Sequence, residues 1–558
     1  MTDGEDEVNS RLQNAQRSDE CIKFEDIVED IGSNGKFQKR LNIIFNCVSV
    51  IFNTTSSYSK LIAITVPDHW CHVPGREAAN FSVEAWKNLT IPREDGEYTK
   101  CLMYKDVWQG NETVPCMHGW DYDNSWFSAT VTSQENWVCE KDMYPNMVFS
   151  VSLFISIVFG VLLFYGGDRF GRRKQYLVST GMIAVSRTML TVSSSVFPLY
   201  IFFSVMAEAA GLPSTDSALA LGIELTDVRH RSTVNFLSFF SYCIGTIAMA
   251  LLAWVLRNWV HFILAATLPL FVPIFLIRYL PESPRWYISK GHPEEALKVL
   301  QHIAKVNGKP VPQNMFSKLN ILSQQRSPNM SVKTIFTNKN LFKNTVLLMC
   351  GKSASALAMF TLLFSNTTFG ENPFLAYIAQ GILQIPAVSV AHFIGNMLGR
   401  RITHCLTLLT AGVLSIVMIF LPKESSPSWM VLTGSLLLQF CSHCSVSLTN
   451  LQSMEIHPTC IRQISLAMEY ILLTCVHCLP PYLAHLEKVA GPQYMFSVLA
   501  SVLLITSFLV SFVPESLNEK LPETVEDAAL YGRSQKYWSF PKKKRARQEA
   551  IELCKCVS

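Results

Sequence analysis

The stretch Gly167-Asp168-Arg169-Phe170-Gly171-Arg172-Arg173-Lys174 decides the fold. It is a short charged turn between two long apolar runs. It returns, weakened, as Gly399-Arg400-Arg401, again between apolar runs. Glu224 with Arg231 comes back as Glu455 with Arg462, and Pro281-Glu282-Ser283 comes back as Pro514-Glu515-Ser516. Three landmarks in one order, about 230 residues apart, make a duplicated chain whose repeat is far longer than a solenoid unit. Two homologous membrane halves are the natural reading, and parallel halves of this kind rock about a midplane site.

Working outward, the 558 residues are 49% hydrophobic and 16% charged, against about 25% charged in an average soluble domain. That composition excludes a disordered chain and argues against a soluble enzyme. The net charge of +4 points to no acidic partner. Apolar runs of roughly 20 residues, the length a bilayer core requires, fall at 41–66, 147–166, 175–195, 199–222, 233–256 and 260–280. The second half supplies 342–365, 374–395, 402–421, 429–452, 464–483 and 493–513. These make twelve transmembrane helices in two pseudo-symmetric six-helix halves, an all-α membrane protein with an extracellular loop domain. Residues 1–40, 281–341 and 514–558 are polar. The short loops on one side hold Arg169, Arg172, Arg173, Lys174, Arg229, Arg231, Arg400, Arg401 and Arg462; those on the other hold little beyond Arg257, Lys423 and Lys488. The positive-inside bias then puts both termini in the cytoplasm. The opening Met1–Glu7 is polar and lacks the pattern of a cleaved leader.

The loop 67–146 holds Cys71, Cys101, Cys116 and Cys139 with the sequons at Asn80, Asn88 and Asn111. An oxidised, glycosylated ectodomain at the plasma membrane is expected, and four cysteines allow three pairings. The formal sequons at Asn53, Asn329 and Asn366 fall in membrane or cytosol on this topology. Within 281–341, Pro293, Glu294 and Glu295 open a helix whose apolar stripe is Ala296, Leu297, Leu300, Ile303 and Ala304, closed by Gly308. It is expected to lie under the bundle. The tail Lys542-Lys543-Lys544-Arg545-Ala546-Arg547 suits anionic lipid on a multispan chain.

These landmarks carry a resemblance. Phe24 to Gln38, Thr130-Val131-Thr132 with Trp137-Val138-Cys139, the charged turn at Asp168–Lys174, Pro281-Glu282-Ser283-Pro284-Arg285-Trp286, and Asn372, Phe374, Gly381, Ile385 and Pro386 occur in order. Together they resemble the major facilitator superfamily, in its organic cation, anion and carnitine/zwitterion transporter branch of solute carriers. The resemblance implies a latch favouring the outward-open state, built from Asp168, Arg169, Gly171, Arg172, Arg173, Glu224 and Arg231 and their repeats Arg400, Arg401, Glu455 and Arg462. Several positions depart from the pattern. Phe164 stands where the loop usually opens with Gly, Asn396 where the second half has Asp, and Gln384 where the eighth helix has Glu. Thr474 takes the eleventh-helix position that is Asp in cation carriers and Arg in anion carriers. Lys352 replaces a cavity Trp.

A charge at the bilayer centre costs about 2.5–3.5 kcal/mol on insertion scales, so Lys60, Arg187, Glu208, Asp216, Lys352 and Glu469 each need a partner or a cavity. Tyr470, Thr474, His477 and Cys478 share one stripe of the eleventh helix. The substrate site is therefore expected at Lys352, Thr474, Tyr470, His477, Asp216, Glu208, Arg187 and Gln384. Arg187, Glu208 and Asp216 serve equally well as a structural cluster, and Glu469 as part of the latch. Gly351-Lys352-Ser353 lacks the upstream glycine of a phosphate loop, which argues against nucleotide. Cys441-Ser442-His443-Cys444 and Cys475-Val476-His477-Cys478 read as small apolar cysteines before they read as a metal site. No catalytic pairing, cofactor or nucleic-acid patch is expected. The sequence points to a carrier of small organic ions, leaning to a cation or zwitterion. An organic anion carrier and a transport-inactive receptor or scaffold are the alternatives.

Overall fold

The computed structural model describes residues 24–77, 80–94, 96–105, 112–324, 333–365, 372–421, 428–533 and 535–537. Twelve helical rods make the bundle. α1 runs through Lys36–Leu41, Asn42–Val48 and Ser49–Ala63, α2 is Tyr144–Phe170, and α3 is Arg172–Ser193. α4 is Phe197–Glu224 and α5 Arg231–Leu256, and α6 opens with Trp259–Thr267. In the second half, α7 is Lys339–Ser365, α8 Pro373–Leu398, α9 Arg400–Ile419 and α10 Ser428–Ile456. α11 is Arg462–His477 with Pro480–Ala490, and α12 is Pro492–Val510.

Two rods expected to be continuous are broken, each at prolines. After Thr267, α6 passes through the short turns Leu268–Leu270 and Phe271–Phe275, where Pro269 and Pro273 sit. α11 stops at His477 and restarts at Pro480, ahead of Pro481. Proline donates no hydrogen bond and crowds the preceding turn. Nine of the described helices are long and apolar enough to cross a membrane, and α1, α3 and α6 are not among them. α1 and α3 are polar because they face protein. In α1, Thr55 bonds the Gly245 carbonyl at 3.1 Å, Ser56 bonds Thr267 at 3.0 Å and Asn53 bonds the Gly211 carbonyl at 3.4 Å. Asn42–Val48 is wound as a π-helix. There the Asn46 amide bonds Asn42 and lies against Gly222 of α4, where a Cβ would stand 2.5 Å from it.

Gly171 and Gly399 turn the chain between α2 and α3 and between α8 and α9, at φ 106° and 98°. Only glycine adopts this region readily. Glu282 caps α3 by accepting from Arg172 N and Arg173 N, and Glu515 does the same for Arg400 N and Arg401 N of α9. The two halves thus repeat one device, a carboxylate at a helix N-terminus.

The expected amphipathic helix is Pro293–Asn307, ended by Gly308 at φ 69°. It buries Ala296, Leu300, Ile303 and Ala304 against Phe24, Ile27, Ile31 and Phe37 of the N-terminal segment. Asn307 fixes that segment through Ile31 O, Gly32 O, Gln38 Oε1 and Phe37 N. Among its described residues, the loop segment 67–146 holds the short helices Val83–Thr90 and Val131–Gln134, a 3-10 turn at Cys139–Lys141 and three two-stranded sheets. Its disulfides are Cys71–Cys116 and Cys101–Cys139. Asn80 and Asn88 are exposed. Asn111, Asn329, Asn366, Lys423 and the basic tail at 542–547 lie outside the described residues.

Candidate functional site

A cavity of about 290 Å³ lies between the halves. α1 brings Tyr58 and Lys60 to it, α4 brings Glu208 and Asp216, and α7 brings Lys352. Its charges form two poles. At the first, Glu208 Oε1 holds Lys60 Nζ at 3.0 Å and Arg187 Nη2 at 2.7 Å, two cations on one carboxylate. At the second, Lys352 Nζ pairs with Glu469 Oε2 at 3.2 Å while Asp216 stands in electrostatic range of both, two carboxylates on one cation. Aromatic rings fill the space between. Tyr58 lies parallel to Phe360 at 6.4 Å and bonds the Tyr242 hydroxyl, and Phe360 meets the His477 ring at 4.5 Å.

Of the expected substrate residues, Lys352, Thr474, Tyr470, His477, Asp216 and Glu208 line this cavity. Arg187 stands behind the wall, where it also donates to the Ser57 carbonyl at 3.3 Å. Gln384 is buried in α8 and does not line the cavity. Glu469, which the sequence left open to the latch, pairs with Lys352 instead. Tyr58, Tyr242, Phe360, His443 and Asn450 also line the cavity. The sequence marked none of them as substrate residues, because an aromatic or amide in an apolar run carries no signal of direction. His443 and His477, the middle residues of the twin motifs, both leave Nε2 without a hydrogen bond. Cys444 donates to the Ala387 carbonyl as an ordinary packed thiol.

Contacts between the halves lie at both ends. At the end of the charged loops, Arg462 Nη1 reaches Glu224 Oε1 at 2.6 Å. Arg172 lies 3.2 Å from Asp168 and 3.7 Å from Glu224. Asp168 accepts from Ile464 N at 2.9 Å, and Gln175 donates to Gln463 at 3.1 Å. Arg400 pairs with Glu455 at 3.2 Å within the second half. The recurring Glu and Arg marks therefore do not pair within their own half: Glu224 takes Arg462 of the other half, and Arg231 takes Glu25 at 3.0 Å. Arg169 is exposed and lies over Phe170, outside this network. At the opposite end, beside the 67–146 segment, Phe374 of α8 meets Phe127 at 5.2 Å and Trp254 at 6.4 Å.

Beside this network, Arg285 joins Glu25 at 2.9 Å and Glu523 at 2.7 Å, tying the N-terminal helix Phe24–Asp30 to the segment after α12. Burial works to raise the Glu25 carboxyl, but Arg285 and Arg231 outweigh it and bring it down to about 2. Glu523 goes the other way. Burial, aided by Glu25 and Asp527, overcomes Arg285 and lifts it to about 7.

Residues 111–527 match the family model described as sugar (and other) transporter. The chain is 29% identical over 535 residues to solute carrier family 22 member 7 of Rattus norvegicus, covering 90% of this chain and 98% of that protein. It is 26% identical to solute carrier family 22 member 6-B of Xenopus laevis, covering 92% and 96%. Among solved structures, it is similar to the proton:xylose symporter XylE bound to 6-bromo-6-deoxy-D-glucose, with a TM-score of 0.61 and 14% identity, over 88% of this chain and 100% of that one. That likeness is one of fold, the twelve-helix major facilitator arrangement.

Proposed function

The chain belongs to the sugar (and other) transporter family, and from that premise we propose that it carries small organic ions across the plasma membrane by alternating access. We infer further that the ions bear an amine and are zwitterions or cations. The carrying observation is the pair of opposed poles in one cavity. Lys60 with Arg187 over Glu208 leaves an excess positive charge; Asp216 with Glu469 over Lys352 leaves an excess negative one. A zwitterion answers both, its carboxylate toward Lys60 and its ammonium toward Asp216, with aromatic faces for the alkylated nitrogen. A lone anion leaves Asp216 unanswered, and a lone cation leaves Lys60 so. The charged-loop end is assigned to the cytoplasm, and Asn80, Asn88 and Asn111 are assigned as glycosylated. Terminal epitopes that stain on unpermeabilised cells overturn the first assignment, and an unchanged mobility after glycosidase treatment overturns the second.

The functional test is counterflow into liposomes holding the purified full chain. Glycine betaine is expected to enter saturably, tetraethylammonium more slowly, and benzoate not at all. Benzoate as the favoured probe makes this an anion carrier. No counterflow of any probe favours the transport-inactive scaffold.

A further inference from the structure

The second half lacks a carboxylate that the first half keeps. Arg172 of α3 faces two carboxylates, Asp168 at 3.2 Å and Glu224 at 3.7 Å. Its counterpart Arg400 of α9 faces one, Glu455 at 3.2 Å. Asn396 holds the position in the second half that Asp168 holds in the first, and an amide bears no charge. The two side chains also differ in place. Asp168 is buried, and its Oδ2 joins the halves by accepting from Ile464 N at the start of α11. Asn396 is exposed and makes no hydrogen bond among the described residues. Thr233 follows Arg231 by two residues, as Ile464 follows Arg462, and its N–H turns back to the His230 carbonyl at 3.0 Å.

A small cavity lies at this place. Ser232 and Asn235 of α5 line it with His392 and Asn396 of α8, Arg400 of α9 and Ser447 of α10. It crosses the seam between the halves, where Asn235 Nδ2 donates to the Ser447 carbonyl at 3.2 Å. Arg400 is 2% exposed, and its Nη1 has no hydrogen bond. Glu455 stands at its Nε edge, and Glu515 is engaged by Arg400 N and Arg401 N. No carboxylate lines the cavity among the described residues. A buried charged donor left unpaired is destabilising, and the start of α5 adds the positive end of a helix dipole. The volume of about 10 Å³ is near the least that holds one water-sized particle. An organic carboxylate or a phosphate is too large for it. A water answers Arg400 Nη1 and also Asn235 Oδ1, which is unpaired, but it does not replace the charge. A monatomic anion does.

We propose that chloride binds between α5, α8, α9 and α10 at the charged-loop end, against Arg400, and takes the part there that Asp168 takes in the first half. Bound, it joins the halves across a seam that the side chain of Asn396 leaves unbridged. It thereby weights the carrier toward the latched conformer, since an ion shifts an equilibrium by its differential affinity for the two states. The site rests on the latch and not on what the large cavity carries.

The test uses the purified full-length protein in detergent, in chloride or in gluconate at equal ionic strength. Melting is expected to be higher in chloride, with bromide acting like chloride and sulfate like gluconate. Half-buried Cys478, at the other end of the first segment of α11 from the latch, reports the conformer. Its labelling by an impermeant thiol reagent is expected to be about fivefold faster in chloride, the shift that a modest coupling between sites produces. Asn396→Asp supplies a fixed carboxylate. It is expected to melt and label in gluconate as the wild type does in chloride, with the chloride response gone. Arg400→Gln is expected to lose the response at the lower level. Equal melting or equal labelling of the wild type in the two salts overturns the site and leaves water as its occupant. A chloride response that persists in Asn396→Asp or in Arg400→Gln puts the anion elsewhere, as at Lys60 and Arg187, and overturns it too. The wild-type arm requires no variant to fold, and failure of glycine betaine counterflow bears on the carrier reading alone.

Discussion

Gly160 has no side chain because Tyr470 occupies the space: a Cβ there would stand 2.3 Å from the tyrosine Cε1. The Tyr470 hydroxyl meets Ser156 at 3.0 Å, one turn away, and its ring meets Phe164 at 5.7 Å. The departure at Phe164 thus has a physical counterpart, since the close approach between α2 and α11 is supplied by Gly160. Gly160→Val forces Tyr470 out of the cavity wall, at a cost of about 1–3 kcal/mol for an overpacked contact. Melting in detergent should fall and glycine betaine uptake with it; unchanged melting and uptake contradict the contact. Glu523 gives a pH dependence whose sign is fixed. Its native pKa is raised from 4.5 to about 7. Its contribution to stability is therefore full below 4.5 and is lost as pH rises through 7. Between pH 8 and pH 6 the protein gains about 1 kcal/mol from this group, and Glu523→Gln should abolish the gain. Equal pH dependence of melting in the two proteins tells against a titrating Glu523.

At the scale of elements, the burial of α1 was legible. Asn53, Thr54, Thr55 and Ser56 in an apolar run admit no lipid-facing reading, and all four are buried. The π-helical turn at Asn42–Val48 was not legible, because its sequence differs in no way from α-helix; the packing of Asn46 on Gly222 selects it. The breaks in α6 and α11 were written in their prolines, but span length alone does not reveal them. The helix Pro293–Asn307 was legible from its caps and stripe, and its partner was not. It covers the N-terminal segment, and Asn307 supplies four hydrogen bonds across a gap of about 270 residues in sequence. Asn307→Ala leaves those groups to water or unpaired, at about 1–3 kcal/mol. Hydrogen exchange in residues 24–38 should rise well before that of the bundle; unaltered protection there argues against Asn307 as the tie.

At the scale of the whole molecule, duplication was the clearest signal in the chain, and the pairings across the halves were the least clear. Glu224 and Arg231, and again Glu455 and Arg462, stand seven residues apart, across the turn from α4 to α5 and the turn from α10 to α11. The bundle brings Arg462 to Glu224 from the other half, which no spacing encodes. The cavity was legible through its cost: charges within apolar runs must be answered, and six of the eight expected residues line it. Arg187 and Gln384 show the limit, since burial alone does not tell a wall from the layer behind it. Asp168→Asn removes the charge that faces Arg172 while keeping an acceptor for Ile464 N. About 1 kcal/mol lost at the latch shifts the conformers roughly fivefold. Half-buried Cys478, against the Ser150 carbonyl at the ectodomain end, should then label more slowly with an impermeant thiol reagent. An unaltered rate at normal surface expression contradicts the latch.

The two poles are the centre of the account, and one measurement reaches them most directly: uptake of glycine betaine, tetraethylammonium and benzoate by Lys352→Ala, Asp216→Asn and the double variant, each normalised to surface protein. Loss of a desolvated charge contact of about 1.4 kcal/mol or more is tenfold or more in affinity. Asp216→Asn is therefore expected to lose the two ammonium probes at least tenfold, and the double variant is not expected to recover them. A double variant that regains wild-type uptake with unchanged preference makes the charges a structural pair that touches no substrate, and contradicts the account.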